Sequence, residues 1–338
     1  MTREFWQGRV AFVTGATGLV GGWLVQELLE QGAQVVALVR DGLPGSFLAR
    51  QGLSARVITV HGSLDDISTL RRALNEYETD TVFHLAAQTL VGVAKKDPLG
   101  TLEANVRGTW NLLEACRQAQ VKQVVVASSD KAYGSNEQLP YLETHPLQGR
   151  YPYDCSKSCT DLIATMYATT YGLRAGIARC ANIFGGGDLN FSRMIPDLIR
   201  ATLQGERFVI RSDGKFVRDW LYVRDAADAY MRLAENLNRN AALAGEAFNF
   251  SLAVKLTVLD IVHKVLALME RPDLEPVIQN MASSEIREQY MVCDKARTVL
   301  HWSPRCGLEA GLCETIAWYT DFLQAESSVP ALAAVQNP

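Results

Sequence analysis

Arg9-Val-Ala-Phe-Val-Thr14-Gly15-Ala-Thr-Gly18-Leu-Val-Gly21 decides how the rest of the chain is read. Residues 9–14 form an apolar, β-branched run of buried-strand length. Three glycines at regular spacing follow, and an apolar helical stretch runs on to about Gln31. Gly15 permits a tight turn, Gly18 lets a pyrophosphate reach the backbone, and Gly21 lets helix and sheet pack closely. Amides at the start of that helix have no partner within it and would face the phosphates. A strand, this turn and a helix in sequence predict a dinucleotide site using Gly15, Thr17, Gly18, Leu19 and Val20.

The same strand–helix unit recurs outward from this point. Further strands are expected at 34–39, 56–60, 81–85, 123–128 and 174–179, with helices at about 65–77, 98–119 and 154–171. Regular alternation predicts a Rossmann-type α/β fold, a doubly wound parallel sheet covered on both faces. After about residue 180 the pattern loosens. Turns at 185–190, strands near 207–211 and 247–250, and helices near 192–204, 224–237, 257–270 and 307–324 suggest a smaller mixed α/β substrate-binding lobe. The expected division is a dinucleotide-binding domain over 1–180, with some later segments returning to it, a lobe mainly over 181–325, and a flexible tail over 326–338.

Composition narrows the function classes. Among 338 residues, 33 Lys+Arg against 37 Asp+Glu give a formal charge of -4 without a long basic block, which argues against nucleic acid as the main partner. Five His and the absence of a Cys/His cluster argue against a metal site. Seven cysteines without paired CxxC spacing read as free thiols in a reducing compartment. With no charged-then-apolar leader and no apolar run of membrane-spanning length, a cytoplasmic protein is expected.

Other strand ends extend the dinucleotide site. Arg40 and Asp41 follow the second strand: an acidic group there suits a ribose diol, an arginine a 2′-phosphate, and Arg40 tips the balance toward NADP over NAD. Ser63 and Leu64 follow the third strand and would border the adenine. Leu85, Ala86 and Ala87 follow the fourth, where small side chains let a cofactor pass close to backbone.

Ser128-Ser129-Asp130-Lys131-Ala132-Tyr133-Gly134 and Tyr153-Asp-Cys-Ser-Lys157 carry the chemistry. Four residues apart on a helix, Tyr153 and Lys157 share a face. An ammonium nearby, with a nicotinamide's positive charge, would lower the pKa of the tyrosine hydroxyl and let it take a proton from an alcohol. Ser129 would hydrogen-bond the same oxygen, Lys157 would also hold a cofactor ribose, and Asn105 would support backbone or water near Lys157.

These motifs resemble the extended short-chain dehydrogenase/reductase family, in particular its nucleotide-sugar 4,6-dehydratases of deoxysugar biosynthesis. The resemblance rests on the three glycines, His84-Leu-Ala-Ala-Gln88, Asn105-Val-Arg-Gly-Thr109 and Tyr153xxxLys157. Ser129-Asp-Lys131 and Asn182-Ile-Phe-Gly-Gly-Gly-Asp188 look most like the CDP-glucose 4,6-dehydratase branch. It implies oxidation of a hexose at carbon 4, loss of water across carbons 5 and 6, and return of the hydride to carbon 6. Ser129, Tyr153 and Lys157 take the catalytic positions, Asp130 matches the acid, and Lys131 stands where many members carry Glu. A lysine there would act as a base only with a depressed pKa; charged, it would stabilise an enolate or grip a sugar oxygen.

By the same resemblance the partner is a nucleotide-diphosphosugar, contacted by Gln88, Ser129, Asn182, Arg193, Arg218 and Arg287, since an arginine fork suits phosphate oxygens. A homodimer is implied, and Leu112, Ala115 and Ile163 fit a covered helix face, which is either that contact or this chain's own core. Val217-Arg-Asp-Trp220-Leu-Tyr-Val-Arg-Asp225 departs from the CDP-glucose branch toward a motif shared by epimerases and dehydratases. The scaffold therefore also admits a nucleotide-sugar 4-epimerase, which needs no dehydrating acid/base pair. A non-catalytic dinucleotide-binding regulator would need none of Ser129, Tyr153 and Lys157.

Overall fold

The computed structural model describes residues 3–281 and 286–328. Among them, seven strands form a central parallel sheet: Val10–Thr14 (β1), Gln34–Val39 (β2), Ile58–His61 (β3), Thr81–His84 (β4), Gln123–Ser129 (β5), Ala175–Cys180 (β6) and Ala247–Phe250 (β7). Their order is β7-β6-β5-β4-β1-β2-β3. Side chains alternate between two cores, as the pleat requires. Val13, Val35, Ala37, Phe83 and Val125 face one core; Phe12, Val36, Leu38, Val82, Val124 and Val126 face the other. Burial on both faces explains why these strands read as continuous apolar runs.

Helices Leu19–Glu30 and Val223–Arg239 cover the first face through residues such as Leu24, Leu28, Ala227 and Leu233. Helices Ile67–Glu76, Gly108–Gln118 and Pro152–Tyr171 cover the second. Three sequence expectations change. The 247–250 strand, read as part of the smaller lobe, instead extends the central sheet, with Ala247 opposite Ile177, and helix Val223–Arg239 packs on that sheet. The expected 98–119 helix breaks into Pro98–Leu102, a π-helical turn over Glu103–Arg107, and Gly108–Gln118. Leu112 and Ala115 are fully buried in this protomer's own core, against which Ile163 packs, so these residues are not the covered face expected of a subunit contact.

A smaller mixed lobe has its own core of Phe184, Ile195, Leu198, Phe208, Trp220, Val262, Leu266 and Tyr319. Strand Asn182–Phe184 pairs with Trp220–Tyr222, Val217–Arg218 with Leu256–Thr257, and Val209–Ile210 with Val277–Ile278. The terminal helix runs from Leu308 to Ser328; the remainder of the expected tail lies outside the described residues.

Candidate active site

The strand order reverses between β1 and β4, and ligands of such sheets sit where the crevice opens beyond the carboxyl ends of the strands. A cleft of about 820 Å³ occupies that position. Leu19, Val20, Leu85 and Ala87 line one end, Ser129, Asp130, Lys131, Tyr153 and Lys157 the middle, and Asn182, Arg193 and Arg211 the side toward the smaller lobe.

The glycine cradle fits a dinucleotide. Gly15 has φ +74°, and a Cβ there would stand 2.8 Å from the Ala86 nitrogen; one at Gly21 would stand 2.0 Å from the Gly15 carbonyl oxygen. The helix that begins at Leu19 has no side-chain cap at Gly18, which leaves its first amides for an anion. Thr17 lies in this turn. The Thr14 hydroxyl accepts from the Leu85 and Ala86 amides, both at 3.2 Å, and so ties the ends of β1 and β4 together. His84 bridges Thr14 and Thr109 at 3.0 Å each. Burial first, then the Lys157 charge, press its pKa down to about 3, so it is a neutral structural group.

Arg40 and Asp41, exposed just past the carboxyl end of β2, pair with each other at 2.6 Å. The Ser63 hydroxyl donates to Asp65, while Leu64 is buried and its carbonyl accepts from Asn111. Asn105 is buried: its side chain receives the Gln88 amide at 2.7 Å and donates to the Gln88 carbonyl and the Ser156 hydroxyl, both at 2.9 Å. The π turn leaves its own carbonyl to accept from Thr109 and Thr160. Asn105 thus clamps the β4 loop to the helix of Tyr153 and Lys157.

Pro152 opens that helix, and Tyr153 and Lys157 share its cleft-facing side. Lys157 Nζ donates to the Ala127 carbonyl at 2.8 Å and lies 6.0 Å from the Tyr153 ring centroid. Burial lowers the Lys157 pKa to about 8, opposed by Asp161 and then Cys180. Tyr153 departs from the sequence expectation: burial raises its hydroxyl pKa, and the Arg193 charge and a hydrogen bond with Ser129 only partly counter that. The Ser129 hydroxyl donates to Asp130 Oδ1 at 2.9 Å and accepts from the Lys131 amide. Asp130 is 2 % exposed, its Oδ2 is buried without a hydrogen bond among the described residues, and burial raises its pKa against the pull of Lys131, Ser129 and Arg218. Lys131 Nζ donates to Gln289.

The expected substrate residues divide. Asn182, Arg193 and Ser129 reach the cleft; Asn182 donates to the Asp219 carbonyl at 3.1 Å, and Arg193 bridges Asp188 at 2.9 Å and Thr89 at 2.6 Å. Gln88, Arg218 and Arg287 are not among its lining residues. The Gln88 amide closes its own loop on Leu90 and Thr101. Buried Arg218 donates to the carbonyls of Val217 and Arg287, and exposed Arg287 reaches Asp213 at 3.4 Å. In their place the cleft offers Arg211, Lys95 and Lys96, which the motifs did not signal. The described residues include no cluster able to hold a metal and no helix long and apolar enough to cross a membrane.

The chain belongs to the NAD dependent epimerase/dehydratase family, whose pattern matches residues 11–250. Both 4,6-dehydratases and 4-epimerases are among the proteins it is similar to. It is 32% identical to the CDP-glucose 4,6-dehydratase of Salmonella typhimurium, over 96% of this chain and 94% of that one. A UDP-glucose 4-epimerase from Thermotoga maritima, solved with UDP-glucose, superimposes with a TM-score of 0.84 at 27% identity, covering 93% of this chain and 99% of the other. A dTDP-glucose 4,6-dehydratase from Streptomyces venezuelae with NAD bound also gives 0.84 at 27% identity, covering 92% and 97%.

Proposed function

We propose that this protein is an NAD-dependent nucleotide-diphosphohexose 4,6-dehydratase. The observation that carries the reading is Asp130: a buried carboxyl in the cleft, hydrogen-bonded by Ser129, with one oxygen unengaged and its protonated form favoured by burial. Epimerisation at carbon 4 has no use for such an acid, whereas expelling a hydroxyl at carbon 6 requires a proton donor.

A nicotinamide dinucleotide held by the Gly15–Gly21 turn and the ends of β1 and β4 would supply a hydride acceptor with a positive charge, and in reduced form the hydride donor for carbon 6. Tyr153 takes the carbon 4 hydroxyl proton, Ser129 orients that oxygen, and Lys157 holds positive charge beside the phenol. Asp130 protonates the departing hydroxyl. Lys131 acts at carbon 5, as the proton acceptor or as the charge that steadies the enolate. Arg193, Asn182 and Arg211 face the diphosphonucleotide. Arg40 is neutralised by Asp41, which would repel a 2′-phosphate, and this favours NAD over NADP. Free cysteines throughout the described residues fit a cytoplasmic setting.

A homodimer would cover Leu99, Leu102, Trp110, Leu162 and Met166, which stand exposed on the adjacent 98–118 and 152–171 segments. Leu162→Glu should shift the sedimenting species to monomer; an unchanged species would remove this surface from the assembly. Product mass after incubation with nucleotide hexoses tests the reaction. Loss of one water supports dehydration, and inversion at carbon 4 without mass change would establish the epimerase reading instead.

A further inference from the structure

Behind Lys157, away from the cleft, the same helix face carries a second charged group. Asp161 lies one turn further along, and its Oδ2 accepts from Arg179 Nε at 2.6 Å, the two side chains being 1% and 7% exposed. Arg179 sits on β6 opposite Ser128, so the pair joins the catalytic helix to the strand beside Ser129. Its Nη1 donates to the Tyr133 hydroxyl at 2.8 Å and its guanidinium lies 4.8 Å from that ring's centroid. Tyr133 in turn donates to Asn249 at 2.6 Å. Neither Asp161, Arg179 nor Tyr133 lines the cleft.

We infer that Asp161, fixed by Arg179 and Tyr133, is a positioning residue that keeps the Lys157 ammonium charged and in place. This rests on the assignment of Tyr153 and Lys157 to the hydride step. The groups around Lys157 leave that duty to Asp161. On its own helix stands Tyr153, on β6 Cys180 and on β4 His84; about Cys180 in turn stand Arg179 on the same strand, Tyr230 on Val223–Arg239, which accepts from the Cys180 thiol, and Asp130. Burial holds Cys180 as a thiol and His84 neutral, favours protonated Asp130, and raises both tyrosines. Arg179 is a like charge. Burial raises the Asp161 pKa too, opposed first by the Arg179 charge, and the 2.6 Å pair with Arg179 Nε is what holds it as a carboxylate; one turn from Lys157, that carboxylate is the influence that offsets desolvation of the ammonium. Arg179 and Tyr133 keep that carboxylate fixed, and they link it to the turn that begins at Asp130.

Two readouts on the full chain test this. In cofactor-free protein, the pH dependence of Lys157 acylation, followed by peptide mass spectrometry, reports when the amine loses its proton. Asp161→Asn should move the half-reaction pH downward by about one unit or more, while Asp161→Glu stays near wild type. With NAD and substrate, the alkaline limb of kcat/KM for cofactor reduction should move the same way. A purely structural role predicts lower activity with a parallel pH profile and unmoved acylation, and that result overturns the inference. If the uncompensated Arg179 prevents Asp161→Asn from folding, Asp161→Leu with Arg179→Met removes both charges together, an exchange that buried pairs often tolerate. Because that double variant also loses the like charge of Arg179, it is compared with Arg179→Met alone: adding Asp161→Leu should move the acylation curve downward, and coinciding curves overturn the inference. Wild-type protein that never reduces NAD with any nucleotide hexose would sink the hydride assignment itself, independently of where the acylation curve lies.

Discussion

The Ser129 hydroxyl donates to Asp130 Oδ1 at 2.9 Å, which joins the residue proposed to orient the carbon 4 oxygen to the proposed acid of water loss. Neighbouring in sequence, the two diverge in setting: Ser129 closes strand β5, whereas Asp130 turns into a buried position at the start of a short helix. On the proposed roles one hydrogen bond links two chemical steps, and single substitutions should separate them.

Asp130→Asn keeps the shape and removes the proton. Reduction of NAD in a single turnover should remain within about threefold of wild type, while water loss slows by about 100-fold or more. Rapid-quench mass analysis resolves the steps, and equal slowing of both would remove Asp130 from the acid role. Lys131→Ala separates that residue's two candidate roles by solvent-deuterium incorporation at carbon 5. Loss of a base stops exchange and water loss together, and added small amines partly restore both, whereas loss of an enolate-stabilising charge slows exchange without rescue by amines.

Lys157 sets a pH limb. Burial brings its pKa to about 8, so it is charged below that value and neutral above it. With the charged form assigned to the proposed hydride step, kcat/KM for NAD reduction should fall as pH rises through about 8. A profile flat to well above that point would show that the ammonium is not required.

Arg211 and Arg287 exchange the importance suggested by motif position. Arg211 lines the cleft, while Arg287 is exposed and faces Asp213. Arg211→Ala should raise KM for the nucleotide sugar about tenfold with kcat little changed, and Arg287→Ala should change either constant less than about threefold. Steady-state kinetics on both variants checks the order; the reverse order would place the phosphates nearer Arg287.

Cofactor choice turns on the exposed Arg40–Asp41 pair. Wild type should bind NAD more tightly than NADP in calorimetric titration, and Asp41→Asn should narrow the gap by freeing the guanidinium. Tighter NADP binding in wild type would reverse the assignment.

Local features were legible in sequence. Gly15, Gly18 and Gly21 act within one turn, and Tyr153 and Lys157 meet because four residues span one helical turn. Features settled by distant partners were not. Arg218 looks like a phosphate ligand until the carbonyls of Val217 and Arg287 claim its guanidinium, and Gln88 until its amide closes on Leu90 and Thr101. β7 joins the main sheet only through pairing with a strand about seventy residues earlier, a relation with no local periodicity. Asp161 stood one turn beyond Lys157 in plain sequence, but its significance depends on Arg179 from another strand.

The most direct test of the central claim is product analysis of the NAD-saturated protein with CDP-, dTDP-, UDP- and GDP-glucose in deuterated water. The expected product is a 4-keto-6-deoxy sugar nucleotide lighter by one water, apart from incorporated deuterium, with solvent deuterium at carbon 5 and no net consumption of NAD. A product of unchanged mass with inverted carbon 4 and no label at carbon 5 would contradict it.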